Sequence, residues 1–198
     1  MILVVDNTNG ERAVMLPRLI AAVHKATGDK VIVANSARGV RRAMTQFAIR
    51  GVVLSGGPVC LSAKTQICEY NRNMLAYVLA CERRLPVLGI CFGFQIICAM
   101  QGACLQRTEE DVVQGWHPIA FKSGVLFRGI KSPAQVYEYH GDCIRDPPPG
   151  FKAIARSECG GVEAIERDGG EWVVFGVQFH PEGSGEIGGQ ILHNFIQI

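Results

Sequence analysis

Short apolar runs recur along the first ninety residues, separated by stretches in which apolar residues return every three or four positions. Residues 2–5, 31–34, 52–54 and 86–90 are each too short for a helix and are apolar without alternation, the pattern of strands covered on both faces. Between them, residues 12–26 carry Leu16, Leu19, Ile20 and Val23 at helical spacing, and 40–49 and 66–84 read as two further helices. Such alternation predicts βαβ units, hence an α/β fold with a mostly parallel sheet flanked by helices. Farther on the pieces shorten: 118–121, 135–139, 151–155, 162–165 and 172–179 read as strands, and antiparallel additions to the sheet are expected. Pro147-Pro148-Pro149-Gly150 makes a stiff surface connection, and Ile187, Ile191, Leu192, Phe195 and Ile196 give one apolar face to a closing helix. With no repeat and no long linker, residues 1–198 are expected to form one domain.

Charge removes some classes of function. Twenty Lys and Arg against eighteen Asp and Glu leave a formal +2, and the basic residues are scattered, so no nucleic-acid partner is expected. Residues 85–106 are uncharged and long enough to span a membrane, but Pro86, Gly89, Gly93, Gln95, Gln101 and Gly102 interrupt them, which fits a strand, a turn and a buried helix better. The first apolar run is too short for a signal-peptide core, which points to the cytoplasm. Eight cysteines, at 60, 68, 81, 91, 98, 104, 143 and 159, form no CxxC pair; most are expected to be small buried thiols. The histidines at 24, 117, 140, 180 and 193 do not pair with them at zinc-like spacing, and no metal or other cofactor is expected. His24, His117 and His193 are read as structural, and Trp116 and Trp172 as packing residues.

Three segments carry chemistry. In Gly89-Ile90-Cys91-Phe92-Gly93 a buried strand passes through a cysteine flanked by glycines into a helix, the pattern of a nucleophile elbow. A thiolate there is nucleophilic and is stabilised by the helix N-terminus. In Gln178-Phe179-His180-Pro181-Glu182, spacing two places His180 and Glu182 on one face of an extended chain, and Pro181 biases His180 away from helix. His180 then serves as base and Glu182 as its orienter. The glycines of Ser55-Gly56-Gly57-Pro58 free backbone N–H groups for an oxyanion, with Gly57 and Phe92 as the expected donors.

Taken in order, Leu54-Ser55-Gly56-Gly57-Pro58, Gly89 through Gln95 and Gly176 through Glu182 resemble the motifs of class I (triad) glutamine amidotransferases, over essentially the whole chain. The resemblance implies a flavodoxin-like fold, Cys91 as nucleophile, His180 as general base and acid, and Glu182 as orienter. It also implies a glutamine pocket lined by Gly57, Gln95, Tyr139, His140, Gly141 and Asp142. His140 reads equally well as a loop histidine satisfied by backbone. Within the family, Tyr139-His140-Gly141-Asp142 looks like the corresponding segment of GMP synthase glutaminases, although Phe94 and Gly183 depart from the common pattern. The implied partner is a separate ATP-using synthase, the ATP-pyrophosphatase subunit that aminates XMP to GMP, because these residues contain no SGGxD-type pyrophosphate loop. The glutaminase components of anthranilate or aminodeoxychorismate synthase, a stand-alone γ-glutamyl hydrolase or peptidase, and a non-catalytic relative are the competing readings.

Overall fold

The computed structural model describes residues 1–8, 14–62, 70–109 and 112–198. Five parallel strands form its centre: β1 (Ile2–Val5), β2 (Val31–Ala34), β3 (Gly51–Leu54), β4 (Val87–Ile90) and, from the far end of the chain, β11 (Val174–Val177). Their order, β2-β1-β3-β4-β11, is that of a flavodoxin-like doubly wound sheet. β9 (Phe151–Arg156) and β10 (Val162–Arg167) continue the sheet antiparallel from β11, followed by β6 (Val113–Phe121) and β7 (Ala134–His140). A separate two-residue pair, β5 (Gln106–Arg107) with β8 (Asp142–Cys143), lies outside it.

Successive residues of β1 enter opposite cores. Ile2 and Val4 pack with Leu19 and Val23 of α1 (Met15–Thr27) and Ile191, Leu192 and Phe195 of α5 (Gly185–Ile196). Leu3 and Val5 pack with Val40 and Met44 of α2 (Ala37–Gln46), Ala76 and Ala80 of α3 (Asn71–Glu82), and Phe94 and Ile97 of α4 (Phe92–Met100). Both faces of the sheet are thereby covered, which is why its strands carry no polar alternation. Among the described residues, no helix is long and apolar enough to cross a membrane.

Several boundaries differ from those expected. α2 starts at Ala37 rather than 40 because the Ser36 side chain accepts from Gly39 N–H at 3.2 Å and caps it. It stops at Gln46, where Phe47 turns extended. Residues 12 and 13 of the first expected helix and 66–69 of the third lie outside the described residues. β6 extends back to Val113 because residues 113–118 pair with β7 alone and stay half-buried or exposed, so no apolar run marks them. Trp172 packs edge-on against Tyr77, and Trp116, half exposed on β6, meets Tyr137 edge-on. Of the seven described cysteines only Cys91 and Cys98 are buried; Cys60 and Cys143 are half-buried, and Cys81, Cys104 and Cys159 are exposed. All seven are free thiols.

Candidate active site

Chain leaving the C-terminal ends of β1, β3, β4 and β11 converges at one edge of the sheet, where open parallel sheets bind their ligands. Cys91 follows β4 as the N-cap of α4, with φ 48° and ψ −104°, a conformation that side-chain-bearing residues rarely adopt. The glycines on either side make that turn possible. A Cβ on Gly93 would lie 2.2 Å from the Leu54 carbonyl oxygen, and one on Gly89 would lie 2.7 Å from Gly93 backbone. The elbow therefore packs β3, β4 and α4 closer than any side chain allows, and it presents the Cys91 thiol outward.

The thiol donates toward the Tyr139 carbonyl at 3.6 Å, and Cys91 and His180 line the same cavity, both against Gly56. His180 Nδ1 is 2.8 Å from Glu182 Oε1, with both side chains almost fully buried. Burial disfavours the imidazolium, but the Glu182 carboxylate and then Cys91 outweigh it, and they hold His180 well above the ordinary histidine value. The cluster thus favours the imidazolium form of His180 beside the Cys91 sulfur.

The route by which Glu182 reaches the imidazole differs from the expected one. His180 is extended (φ −103°, ψ 95°), but residues Pro181–Gly183 form a 3-10 turn, so Glu182 approaches from a helical turn rather than along a strand. Proline's fixed φ suits the first position of such a turn as well as an extended chain, so Pro181 could not discriminate. The turn is clamped from outside. Ser184 Oγ donates to the His180 carbonyl at 2.7 Å and accepts from Tyr137 N–H at 2.9 Å, while His180 N–H donates to the Tyr137 carbonyl at 2.8 Å. α5 closes on it so tightly that a Cβ on Gly188 would lie 1.8 Å from the Pro181 oxygen.

The glycine loop after β3 lies against the same residues: a Cβ on Gly56 would meet His180 Cε1 at 2.9 Å, and one on Gly57 would meet Phe92 Cδ1 at 3.3 Å. A network that sequence reasoning missed supports it. Fully buried Asn7 donates its N–H to Ser55 Oγ at 3.0 Å, and its Nδ2 to the Ser55 carbonyl at 2.9 Å and to Asn73 Oδ1 at 3.0 Å; it accepts from Asn73 Nδ2 at 2.8 Å. Only an asparagine two residues beyond a strand hinted at it.

A cavity of about 660 Å³ opens over Cys91, lined by Gly57, Gln95, Tyr139, Gly141 and Asp142 as well as His180. Within it the expected glutamine-pocket residues divide into two kinds. Asp142 accepts from Ser62 N–H at 3.0 Å and Ser62 Oγ and sits 3.6 Å from Arg107, so its carboxylate holds the rim together. Gln95 Nε2 donates to Gln178 Oε1 at 3.1 Å and to the Asp142 carbonyl at 3.4 Å. His140 donates Nδ1–H to that carbonyl at 2.9 Å, as the backbone-satisfied reading holds, and its ring is buried.

Residues 16–198 match the family described as glutamine amidotransferase class-I. A glutamine-hydrolyzing GMP synthase subunit of Pyrococcus abyssi is 34% identical over 149 residues, 75% of this chain and 74% of that one. Its namesake from Methanococcus maripaludis is 36% identical over 148 residues, 74% of this chain and 72% of its own. Among solved structures, a Thermoplasma acidophilum protein assigned as a GMP synthase subunit superposes with a TM-score of 0.78 at 26% identity, covering 99% of this chain and 92% of that one. The chain belongs to the class-I glutamine amidotransferases.

Proposed function

We propose that this enzyme hydrolyses the side-chain amide of glutamine at Cys91 and passes the ammonia to a separate ATP-using synthase that aminates XMP to GMP. The observation that carries the chemistry is Cys91 on its strained elbow, in one cavity with a buried imidazole that Glu182 holds from behind. The Cys91 thiolate attacks the glutamine δ-carbon. The resulting oxyanion is received by the N–H of Phe92, which as the first residue of α4 has no acceptor within the helix, and by that of neighbouring Gly57. The His180 imidazolium protonates the departing nitrogen, and ammonia leaves a glutamyl thioester. His180 then takes a proton from water, which attacks the thioester to free glutamate and the thiol. Gln95 and the backbone of residues 139–142 line the pocket for the substrate's α-groups.

The acceptor assignment rests on similarity to proteins named as one lettered subunit of a glutamine-hydrolyzing GMP synthase, a designation that entails a second. Residues 1–198 act on this reading as one amidotransferase domain in the cytoplasm. The test is glutamate release with and without the synthase, ATP and XMP, following amide nitrogen-15 into GMP. Stimulation by the loaded synthase and label in GMP are expected. Full-speed hydrolysis by the isolated chain, indifferent to the synthase, would assign it instead to the stand-alone hydrolases.

A further inference from the structure

Glu138 and His140, two positions apart on β7, point to the same side of the strand and meet Glu163 of β10 there. All three are buried, with one donor atom from each lying within 4.8 Å of the others. The set is short of partners. His140 Nδ1–H is already given to the Asp142 carbonyl, and Nε2 faces Glu138 Oε2 at 3.5 Å. Among the described residues, His140 Nε2, Glu138 Oε1 and Glu163 Oε2 are buried with no hydrogen-bond partner. Buried acceptors turned on one another in this way are costly unless a cation or a shared proton lies between them. Burial and the neighbouring Glu138 push the Glu163 carboxyl well up, so a proton competes with an ion for this place.

Their arrangement also suits an ion. Metal-bound histidines usually give their other N–H to a carbonyl or carboxylate, and His140 is held in that manner. Donors at about 2.1 Å around a tetrahedral ion stand roughly 3.4 Å apart, close to the 3.5 Å between His140 and Glu138. Glu163 has to close by roughly an ångström, within reach of its flexible side chain. A second cavity of about 310 Å³, lined by these residues with Thr108, Val113 and Ser157, gives an entry path and room for a coordinating water.

We propose that Glu138, His140 and Glu163 bind one divalent first-row transition-metal ion such as Zn²⁺, with water completing the shell. Two carboxylates and one imidazole are borderline donors, too nitrogen-rich for Mg²⁺ or Ca²⁺ and lacking the thiolate that selects Cu⁺. The ion fastens β7, which leads into residues 139–142 of the catalytic cavity, to β10 in the main sheet. None of its three ligands belongs to the Cys91, His180 and Glu182 set. Cysteine and histidine spacing could not disclose it, because two of its ligands are glutamates on strands separated by more than twenty residues.

The test uses the full chain stripped with chelator and titrated with Co²⁺ or Zn²⁺. One ion per chain by elemental analysis after dialysis, a visible Co²⁺ spectrum of oxygen and nitrogen ligands, and a rise in Tm reversed by chelator are expected. Glu163→Gln and Glu138→Gln should each weaken binding at least tenfold, while Cys91→Ala keeps it. On wild-type protein, imidazole nitrogen-15 spectra should show Zn²⁺ moving His140 Nε2 and leaving His180 in place, which decides the matter should either Gln variant fail to fold. Absence of stoichiometric binding, a thiolate-to-cobalt charge-transfer band, or undiminished affinity in both folded Gln variants would overturn the assignment.

Discussion

Gly93→Ala puts the smallest possible side chain into the elbow while leaving Cys91, His180 and Glu182 untouched. Its Cβ would sit 2.2 Å from the Leu54 carbonyl oxygen and 2.7 Å from Leu54 Cβ, where contacts below 3.0 Å are essentially never found. Relief requires α4 and β3 to part by roughly 1 Å, and strain of this kind in a packed core costs about 1–3 kcal/mol, occasionally more. Leu54 runs directly into Ser55-Gly56-Gly57, so the displacement reaches the N–H assigned to the oxyanion. Misplacement of a catalytic group by about 1 Å costs on the order of a hundredfold in rate, and each lost oxyanion donor a comparable factor. Expected, then, are a chain that still folds, unfolds at lower denaturant, and releases glutamate with kcat down at least a hundredfold and KM little changed. Urea denaturation and steady-state glutamate assays on the same preparation read both effects. Wild-type stability together with wild-type kcat would show that β3 and α4 do not need to touch, and the steric account of the elbow would fail.

Glu182→Gln should lower kcat by about two to four decades, less than His180→Ala, because the base is misoriented rather than removed; equal losses in two well-folded variants would give Glu182 a larger part. Since His180 is held above its unfolded value of about 6.5, the stabilisation it contributes is full below that pH and is lost as pH rises through the folded value. The stability advantage of wild type over Glu182→Gln, measured by denaturation across pH, should therefore be large near pH 6 and shrink on going alkaline. A glutamine-analogue chloroketone should label Cys91 and spare Cys60 and Cys143, whose thiols burial pushes up and away from the reactive thiolate; peptide mapping with comparable label on either would reduce the selectivity to mere access. Asn7→Ala strands buried partners at Ser55 and Asn73 at about 1–3 kcal/mol each, and should lower both stability and kcat; lost stability with unchanged kcat would confine the network to holding the fold.

The residues proposed to do the chemistry were legible because each stands where a central strand ends, and each is marked by a backbone necessity. Cys91 needs glycines on either side to occupy a positive-φ turn, the loop after Leu54 needs Gly57 because a Cβ there would lie 2.8 Å from the Asn7 carbonyl oxygen, and β11 needs Gly176 to clear the Phe94 ring. Apolar, unalternating strands likewise announced a covered parallel sheet. What stayed hidden depends on register between distant segments. Nothing near Asn7 in the chain names Asn73 as its partner across sixty-six positions, and Ser184 becomes a clamp only once β7 lies beside the residues that follow β11. The half-exposed start of β6 carries no run of apolar residues, so its length, and the meeting of Glu138 with Glu163 across distant strands, escape any pattern of period two or 3.6. The same division separates roles in the site. The proposed nucleophile and its base are set by local chain geometry, whereas the groups that hold them in place are set by packing. It follows that variants at Asn7, Ser184 or Gly93, none of which touches the reacting atoms, should sort by their effect on the position of the Gly57 and His180 segments, not by their distance from Cys91.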